Sequence, residues 1–138
     1  MSLIKTYLDT GIYVIAMRNS SPPLIKTRAI HLIEDSQRHR VTSDVLNLEL
    51  LPNSLRRHNL KELNTINNFV TQAPEFIRLD STHVDLAIKE QAAVKDTLGL
   101  ADLLHITIAK AAGCQDFFTT ELHGSPLYQI GGINVVAF

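Results

Sequence analysis

The chain has a single cysteine, Cys114, so it cannot form an internal disulfide and nothing in it requires an oxidising compartment. No apolar run approaches the ~20 residues that a helix needs to cross a bilayer. The first residues also lack the charged and then apolar form of a signal peptide. We therefore expect a soluble, cytoplasmic protein with no membrane partner.

An excess of charge of one sign is also missing. The sequence has 13 Lys and Arg against 14 Asp and Glu, and its formal charge is −1. Proteins that hold nucleic acid by bulk electrostatics are usually more basic than this. A polyanionic partner must therefore be met by a local basic patch or through bound metal ions.

Three common catalytic motifs are absent. No glycine-rich loop with a lysine is present, which argues against hydrolysis of nucleoside triphosphates. The run Asp9-Thr10-Gly11 lacks the second aspartate that a HAD-type phosphatase needs two positions on. None of the six histidines pairs with cysteine or another histidine at the spacing of zinc ligands. The remaining candidates for chemistry are carboxylates.

Strand and helix patterns alternate along the 138 residues, of which 45% are hydrophobic. Strands are predicted over residues 3–8, 40–43, 76–79, 116–119 and 133–138. Helices are predicted over residues 10–17, 22–33, 44–58, 61–71, 82–95 and 100–112, with Ser21-Pro22 and a capping box of Thr82 and Asp85 as start signals. This alternation predicts one domain over residues 1–138, an α/β fold in three α/β/α layers around a mainly parallel sheet.

Four acidic residues fall at one end of this predicted sheet. Asp9 ends the first strand and Glu121 lies just past the fourth, while Glu49 and Asp102 lie early in helices. Ligands of open α/β sheets bind beyond the carboxyl ends of the strands. Carboxylates in apolar sequence are costly unless they are paired or bound to metal, and Mg²⁺ and Mn²⁺ prefer oxygen ligands. The pattern predicts a site for metal-assisted attack of water on a phosphodiester, although each acid taken alone also suits a helix cap.

The segments around these acids resemble the PIN domain, and in size the chain resembles the VapC-type toxins. The resemblance covers essentially the whole chain and rests on four motifs: Leu8-Asp9-Thr10, Ser43 with Glu49-Leu50-Leu51, Gly99-Leu100-Ala101-Asp102-Leu103-Leu104-His105, and Phe118-Thr119-Thr120-Glu121. It implies a five-stranded sheet of order 3-2-1-4-5 and a ribonuclease that depends on Mg²⁺ or Mn²⁺.

The same resemblance implies roles for individual residues. Asp9 and Asp102 match the principal metal ligands, and Glu49 completes the acidic cluster and orients the attacking water. Glu121 matches a fourth acid that is most often Asp in the family, and Thr119 matches a hydroxyl residue two positions before it. Because Mg²⁺ tolerates misplaced ligands poorly, the longer Glu121 keeps open an alternative, a catalytically weak or silent module that binds RNA or a protein.

The resemblance further implies partners, namely an RNA substrate, a small antitoxin protein and a second copy in a homodimer. The apolar helix faces over residues 25–33 and 63–70 are candidates for the dimer contact, although core packing explains them equally well. A DNA nuclease of the related flap type is disfavoured because those chains are much longer.

Several other polar residues are given structural roles by default. His105 is expected to be a packed residue on the helix of Asp102, Asp80 to be a loop or cap residue, and Asp116 to lie at the opposite end of the sheet. The basic runs Arg38-His39-Arg40 and Arg56-Arg57-His58 with Lys61 are expected to be solvated. For Arg56 and Arg57 a role in positioning RNA is a further hypothesis.

Overall fold

A computed structural model describes residues 2–138, so Met1, the start of the predicted domain, lies outside the described residues. Five parallel strands form one sheet in the order β3-β2-β1-β4-β5. The strands are β1 (Ile4–Leu8), β2 (Arg38–Ser43), β3 (Glu75–Ile77), β4 (Asp116–Thr119) and β5 (Asn134–Ala137). The predicted strand order is confirmed, and the sheet is parallel throughout.

Helices cover both faces of the sheet. They are α1 (Thr10–Met17), α2 (Pro23–Ile33), α3 (Asp44–Arg56), α4 (Leu60–Thr71), α5 (Ser81–Ala92) and α6 (Leu100–Ala111). Successive strand residues point to opposite faces, so Tyr7 packs into the core under α5 and α6 while Leu8 packs into the core under α1, α2 and α4. The predicted three-layer α/β/α architecture is confirmed.

The helix starts differ from the prediction at two places. Asp80, not Thr82, caps α5: its Oδ1 accepts hydrogen bonds from the amides of Thr82 and His83, and His83 Nδ1 accepts one from the Asp80 amide. The predicted capping box of Thr82 and Asp85 is therefore wrong. Asp80, predicted as a loop or cap residue, is the cap. Helix α2 begins at Pro23 without a side-chain cap, because the Ser21 hydroxyl donates to the Ile15 carbonyl instead.

The run Arg38-His39-Arg40 is not a solvated basic face, contrary to the prediction. Arg38 pairs with Asp116 at 2.8 Å, and Arg40 is only 6% exposed. Because β2 lies between β1 and β3, alternate side chains of this strand must enter a covered layer. Arg40 occupies such a position.

The buried Arg40 guanidinium links three helices. Its Nη1 donates to the Tyr13 hydroxyl and to the Phe69 carbonyl, both at 3.0 Å, and its Nε donates to the Ile33 carbonyl at 3.2 Å. These partners belong to α1, α4 and α2, so a single side chain from the sheet satisfies polar groups in all three.

We expect Arg40→Met to lower the free energy of unfolding by about 2 kcal/mol, because the apolar stem remains while the buried hydroxyl and carbonyls lose their donor. The matched control is Arg78→Met, since the Arg78 side chain is 83% exposed and should change stability by less than about 0.5 kcal/mol. Urea unfolding followed by circular dichroism measures both. Equal midpoints for the two variants would contradict the role given to Arg40.

Candidate metal and active site

Asp9 directly follows β1 and caps α1. Its Oδ1 accepts a hydrogen bond from the Gly11 amide at 2.9 Å, and its Oδ2 accepts one from Thr119 Oγ1 at 2.6 Å. The pairing of Leu8 with Phe118 in the sheet brings Asp9 beside Thr119. Asp9 is 4% exposed, and burial raises the pKa of its carboxyl above the ordinary value despite these hydrogen bonds.

Thr119 joins Asp9 to the segment that follows β4. Its hydroxyl donates to Asp9 and accepts a hydrogen bond from the Glu121 amide at 3.0 Å. The first turn of α1 lies close against this segment, because a Cβ atom at Gly11 would lie 2.3 Å from Thr120 Oγ1. The backbone at Glu121 is therefore fixed near Asp9, while the Glu121 residue itself is exposed.

Asp102 completes a group of three neighbouring acids with Asp9 and Glu121. Burial, followed by the negative charges of Glu121 and Asp9, raises the pKa of Asp102 to about 6. An acid in the first turn of a helix is normally stabilised in its charged form by the helix dipole. The raised pKa shows that burial and charge repulsion outweigh that effect here.

Glu49 has a different environment from these three acids. Its Oε1 lies 2.5 Å from His105 Nε2, and it accepts a hydrogen bond of 2.5 Å from Thr10 Oγ1. Burial alone would raise the pKa of Glu49, but the hydrogen bonds from His105 and Thr10 outweigh it and the pKa is lowered. Glu49 is therefore linked to the residue that follows Asp9, through the Thr10 hydroxyl, and it is not one of the three neighbouring acids.

The donor chemistry of the three acids fits a hard cation. Asp9, Asp102 and Glu121 offer only oxygen atoms, and a divalent ion relieves the kind of repulsion that acts on Asp102. Within residues 2–138, however, no group of three or more His, Cys, Asp and Glu side chains is close enough together to hold a metal ion. Asp9, Asp102 and Glu121 are therefore neighbours, but their side chains are not arranged to coordinate one ion. Their assignment as metal ligands stays a prediction.

Two aromatic residues near the acids were not predicted from the sequence. The Tyr7 hydroxyl lies 2.6 Å from His105 Nδ1, so His105 contacts Tyr7 and Glu49 and packs in the core next to Asp102's helix turn. Tyr128 donates from its hydroxyl to the Glu121 carbonyl at 3.0 Å. A buried tyrosine hydroxyl needs a polar partner, so the tyrosine in the predicted first strand could have been expected to bond a polar residue near the site. No comparable feature of the sequence around Tyr128 indicates its contact with Glu121.

A groove bordered by basic residues and by Glu62, called here the basic groove, begins beside Glu49. A depression of about 190 Å³ is bordered by Thr10, Glu49, Arg18 and Arg57. It shares Arg18 and Arg57 with a larger depression of about 650 Å³ that extends to Lys61. Arg56 borders neither depression, so of the two arginines proposed to position RNA only Arg57 faces this groove.

Comparisons with known proteins give a clear result for the fold alone. No family model and no curated protein sequence matches the chain. Among solved structures, the VapBC2 complex from Rickettsia felis, bound to a DNA fragment from its promoter, is similar with a TM-score of 0.74 and 16% identity, covering 98% of this chain and 99% of that chain. The chain has the PIN-domain fold.

Two further structures share this PIN fold. The DNA-bound VapBC from Salmonella typhimurium has a TM-score of 0.71 at 19% identity, covering 98% of both chains. FitAcB from Neisseria gonorrhoeae has a TM-score of 0.67 at 15% identity, covering 94% of this chain and 95% of that chain. At such low identity the likeness establishes the fold of this chain and leaves the chemistry of its site to the residues themselves.

We expect Asp102→Asn to stabilise the protein in the presence of EDTA at pH 7.5 and not at pH 4. The folded-state pKa of Asp102 lies above that of the unfolded chain, so its favourable contribution is complete at low pH and is lost as the pH rises through about 6. The gain at pH 7.5 should be about 1 kcal/mol, allowing for solvent screening of a half-buried group.

Thermal or urea unfolding at the two pH values measures this difference. The matched control is Asp85→Asn, an exposed aspartate of α5 that should show no such pH dependence. An Asp102→Asn variant that is destabilised equally at both pH values would contradict the repulsion described here.

Proposed function

We propose that this protein is an endoribonuclease that depends on Mg²⁺ or Mn²⁺ and is the toxin of a toxin–antitoxin pair. The observation that carries the proposal is the meeting of Asp9, Asp102 and Glu121 at the carboxyl edge of the sheet. This edge lies at the junction of β1 and β4, where the strand order reverses and open α/β sheets bind their ligands. A Mg²⁺ or Mn²⁺ ion held by these acids would activate water and neutralise the charge of the scissile phosphate.

The hydrogen bonds of each acid suggest how the work is divided among them. Asp9 is held rigidly by Gly11 and Thr119, which suits a fixed ligand, and Asp102 would be the second. Glu121 is exposed and longer than aspartate, so it reaches the site from the rim. The lowered pKa of Glu49 makes it a weak proton acceptor, so in this scheme it orients the attacking water by accepting its hydrogen bond.

The basic groove supplies the local charge that an RNA backbone needs. Arg18, Arg57 and Lys61 border the two depressions that lead away from Glu49. Arg57 is paired with Glu62 at 2.6 Å, and this exposed pair can open at little cost when a phosphate competes for the guanidinium. The groove therefore gives a nearly neutral protein a path for single-stranded RNA.

The proposed partners come from the similar structures, which are VapBC and FitAB assemblies. We propose a small antitoxin as partner and a cytoplasmic location. No helix within residues 2–138 is long and apolar enough to span a membrane.

The predicted homodimer stays a proposal, but the structure favours a different surface for it. Ala29 and Ile66, at the centres of the two faces named from the sequence, are fully buried, so core packing accounts for these two residues, while Ile25 at the start of the first face is 37% exposed. Leu48 and Leu55 are 62% and 57% exposed, and with Leu79 they border an apolar depression of about 450 Å³. A second copy of the chain is the occupant we propose there.

One alternative is supported by a specific observation. No group of three or more potential metal ligands is assembled within residues 2–138, and Glu121 stands exposed where the family usually has an aspartate. Both features suit a catalytically weak or silent PIN module that binds RNA or a protein.

Cleavage of a mixed single-stranded RNA with Mn²⁺ tests the proposal. We expect EDTA to abolish cleavage, and Asp9→Asn and Asp102→Asn each to lower the rate by at least about a hundredfold, because each removes charge from the site at which the ion acts. Asp85→Asn is the matched control and should cut at the normal rate. Cleavage that survives EDTA would refute the metal mechanism, and RNA binding without cleavage would favour the silent module.

The groove is tested separately by RNA binding to the Asp9→Asn protein, which leaves the RNA intact. Arg18→Ala and Arg57→Ala should each weaken binding several-fold and lower the salt slope by about 0.7, as expected for the loss of one phosphate contact on a single strand. Arg56→Ala is the matched control, because Arg56 borders neither depression and donates to Asn53 at 2.6 Å. Equal effects for all three variants would contradict a path along this groove.

A further inference from the structure

A chain of hydrogen bonds crosses the interior from β2 to Glu49. The Tyr7 hydroxyl lies 2.7 Å from Ser43 Oγ and 2.6 Å from His105 Nδ1. His105 Nε2 lies 2.5 Å from Glu49 Oε1. Ser43, Tyr7 and His105 are each at most 1% exposed, so solvent does not compete for the bonds of Tyr7, while the Glu49 side chain at the far end is 33% exposed.

The direction of each hydrogen bond follows from the groups at its two ends. At one end, Glu49 has a lowered pKa and offers a carboxylate, so His105 Nε2 must donate to it. At the other end, Ser43 Oγ accepts a hydrogen bond from the Val45 amide at 3.2 Å, which leaves its own proton to donate.

Only one arrangement of protons between these ends satisfies every group. If Ser43 donates to Tyr7, the Tyr7 hydroxyl donates onward to His105 Nδ1, and the imidazole carries its single proton on Nε2. In the reverse direction Tyr7 donates to Ser43, and the Ser43 hydroxyl proton is left without a partner in a fully buried position. An unsatisfied buried donor costs about 1–3 kcal/mol, which disfavours the reverse arrangement.

We propose that Tyr7 and His105 are positioning residues: the Tyr7 hydroxyl and the Glu49 carboxylate keep His105 as the Nε2–H tautomer, and His105 in turn holds the Glu49 carboxylate in one orientation next to Thr10. Both hydrogen bonds to Glu49, from His105 and from Thr10, reach the same oxygen, Oε1. Oε2 thus remains free to accept a hydrogen bond from another group.

The consequence for catalysis rests on the proposed function, in which Glu49 orients the attacking water. An outer partner that aligns a group at a metal site is typically worth 10–100-fold in metal affinity or activity. The tautomer itself does not depend on that function, so the two ideas can be tested apart.

The tautomer is measured on the full chain with ¹⁵N-labelled histidine, using two-bond ¹H–¹⁵N correlation spectra at pH 7.5 in EDTA. We expect the His105 imidazole to show the pattern of a pure Nε2–H tautomer. His105→Gln identifies its signals because they disappear, which separates them from those of His83, whose Nδ1 also accepts a hydrogen bond. Tyr7→Phe keeps the ring against Phe117 but removes the donor to Nδ1. Because Glu49 still holds the proton on Nε2, the Nδ1 signal should move toward that of a nitrogen without a hydrogen-bond donor while Nε2 stays protonated.

Two further variants make the test specific. Tyr13→Phe removes the hydroxyl of another fully buried tyrosine, one that serves Arg40, and should leave the His105 spectrum unchanged. Ser43→Ala should also leave the tautomer in place, since Tyr7 still donates to Nδ1. A wild-type His105 in the Nδ1–H form, or a Tyr7→Phe spectrum identical to wild type, would overturn the proposal without any activity measurement.

Kinetics provide the functional part of the test. In Mn²⁺-dependent RNA cleavage, Tyr7→Phe should lower kcat about tenfold with little change in KM, while Tyr13→Phe stays within about twofold of wild type. If the wild-type protein cleaves no RNA, the proposed function fails and the spectra still decide the tautomer. If it cleaves RNA and Tyr7→Phe cuts at the wild-type rate, the positioning role fails alone.

Discussion

The buried carboxylate of Asp9 is the constraint on which the rest of the site depends. A charge at the end of a central strand needs a hydrogen-bond donor for each oxygen, and the fold supplies the Gly11 amide at the start of α1 and the Thr119 hydroxyl at the end of β4. These two bonds join three parts of the carboxyl edge: the end of β1, the first turn of α1, and the segment after β4 that leads to Glu121. The Glu121 backbone is held at that junction through Thr119. Asp102, from the first turn of α6, faces two negative neighbours there, Glu121 and Asp9.

Two kinds of carboxylate lie side by side at this edge. Asp9 and Asp102 have raised pKa values because they are buried near other acids, so the folded protein stores repulsion there. Glu49 has a lowered pKa because His105 and Thr10 donate to it. The first environment favours the arrival of a cation, and the second keeps one carboxylate ionised and fixed without one. This difference between the environments of neighbouring side chains is physical support for hydrolytic chemistry at the site.

The alternation of strands and helices was enough to predict the layers and the parallel sheet, since hydrophobic periodicity is a local property. That Asp9 and Glu121 lie near each other was predictable for a related reason, because the ends of parallel strands share one edge, whereas Asp102 comes from the first turn of α6. The contacts of Glu49 were not, since they depend on how closely α3 approaches α6 and on a tyrosine from β1. Arg40 was misjudged because its sequence neighbours are polar, while its burial comes from the central place of β2 in the sheet. The start of α5 was misplaced because Asp80 and Thr82 compete as caps, and only the geometry of the preceding strand decides between them.

The alternation of Tyr7 and Leu8 between the two cores has a consequence for how the site forms during folding. Moving β1 by one residue against its neighbours would exchange the faces of these side chains, removing Tyr7 from His105 and Leu8 from α1 in the same step. No partly shifted sheet can keep one core and lose the other. Assembly of the acidic edge is therefore coupled to the all-or-none closure of the whole sheet, and a collapsed chain with loose strand pairing has no means of bringing its carboxylates together.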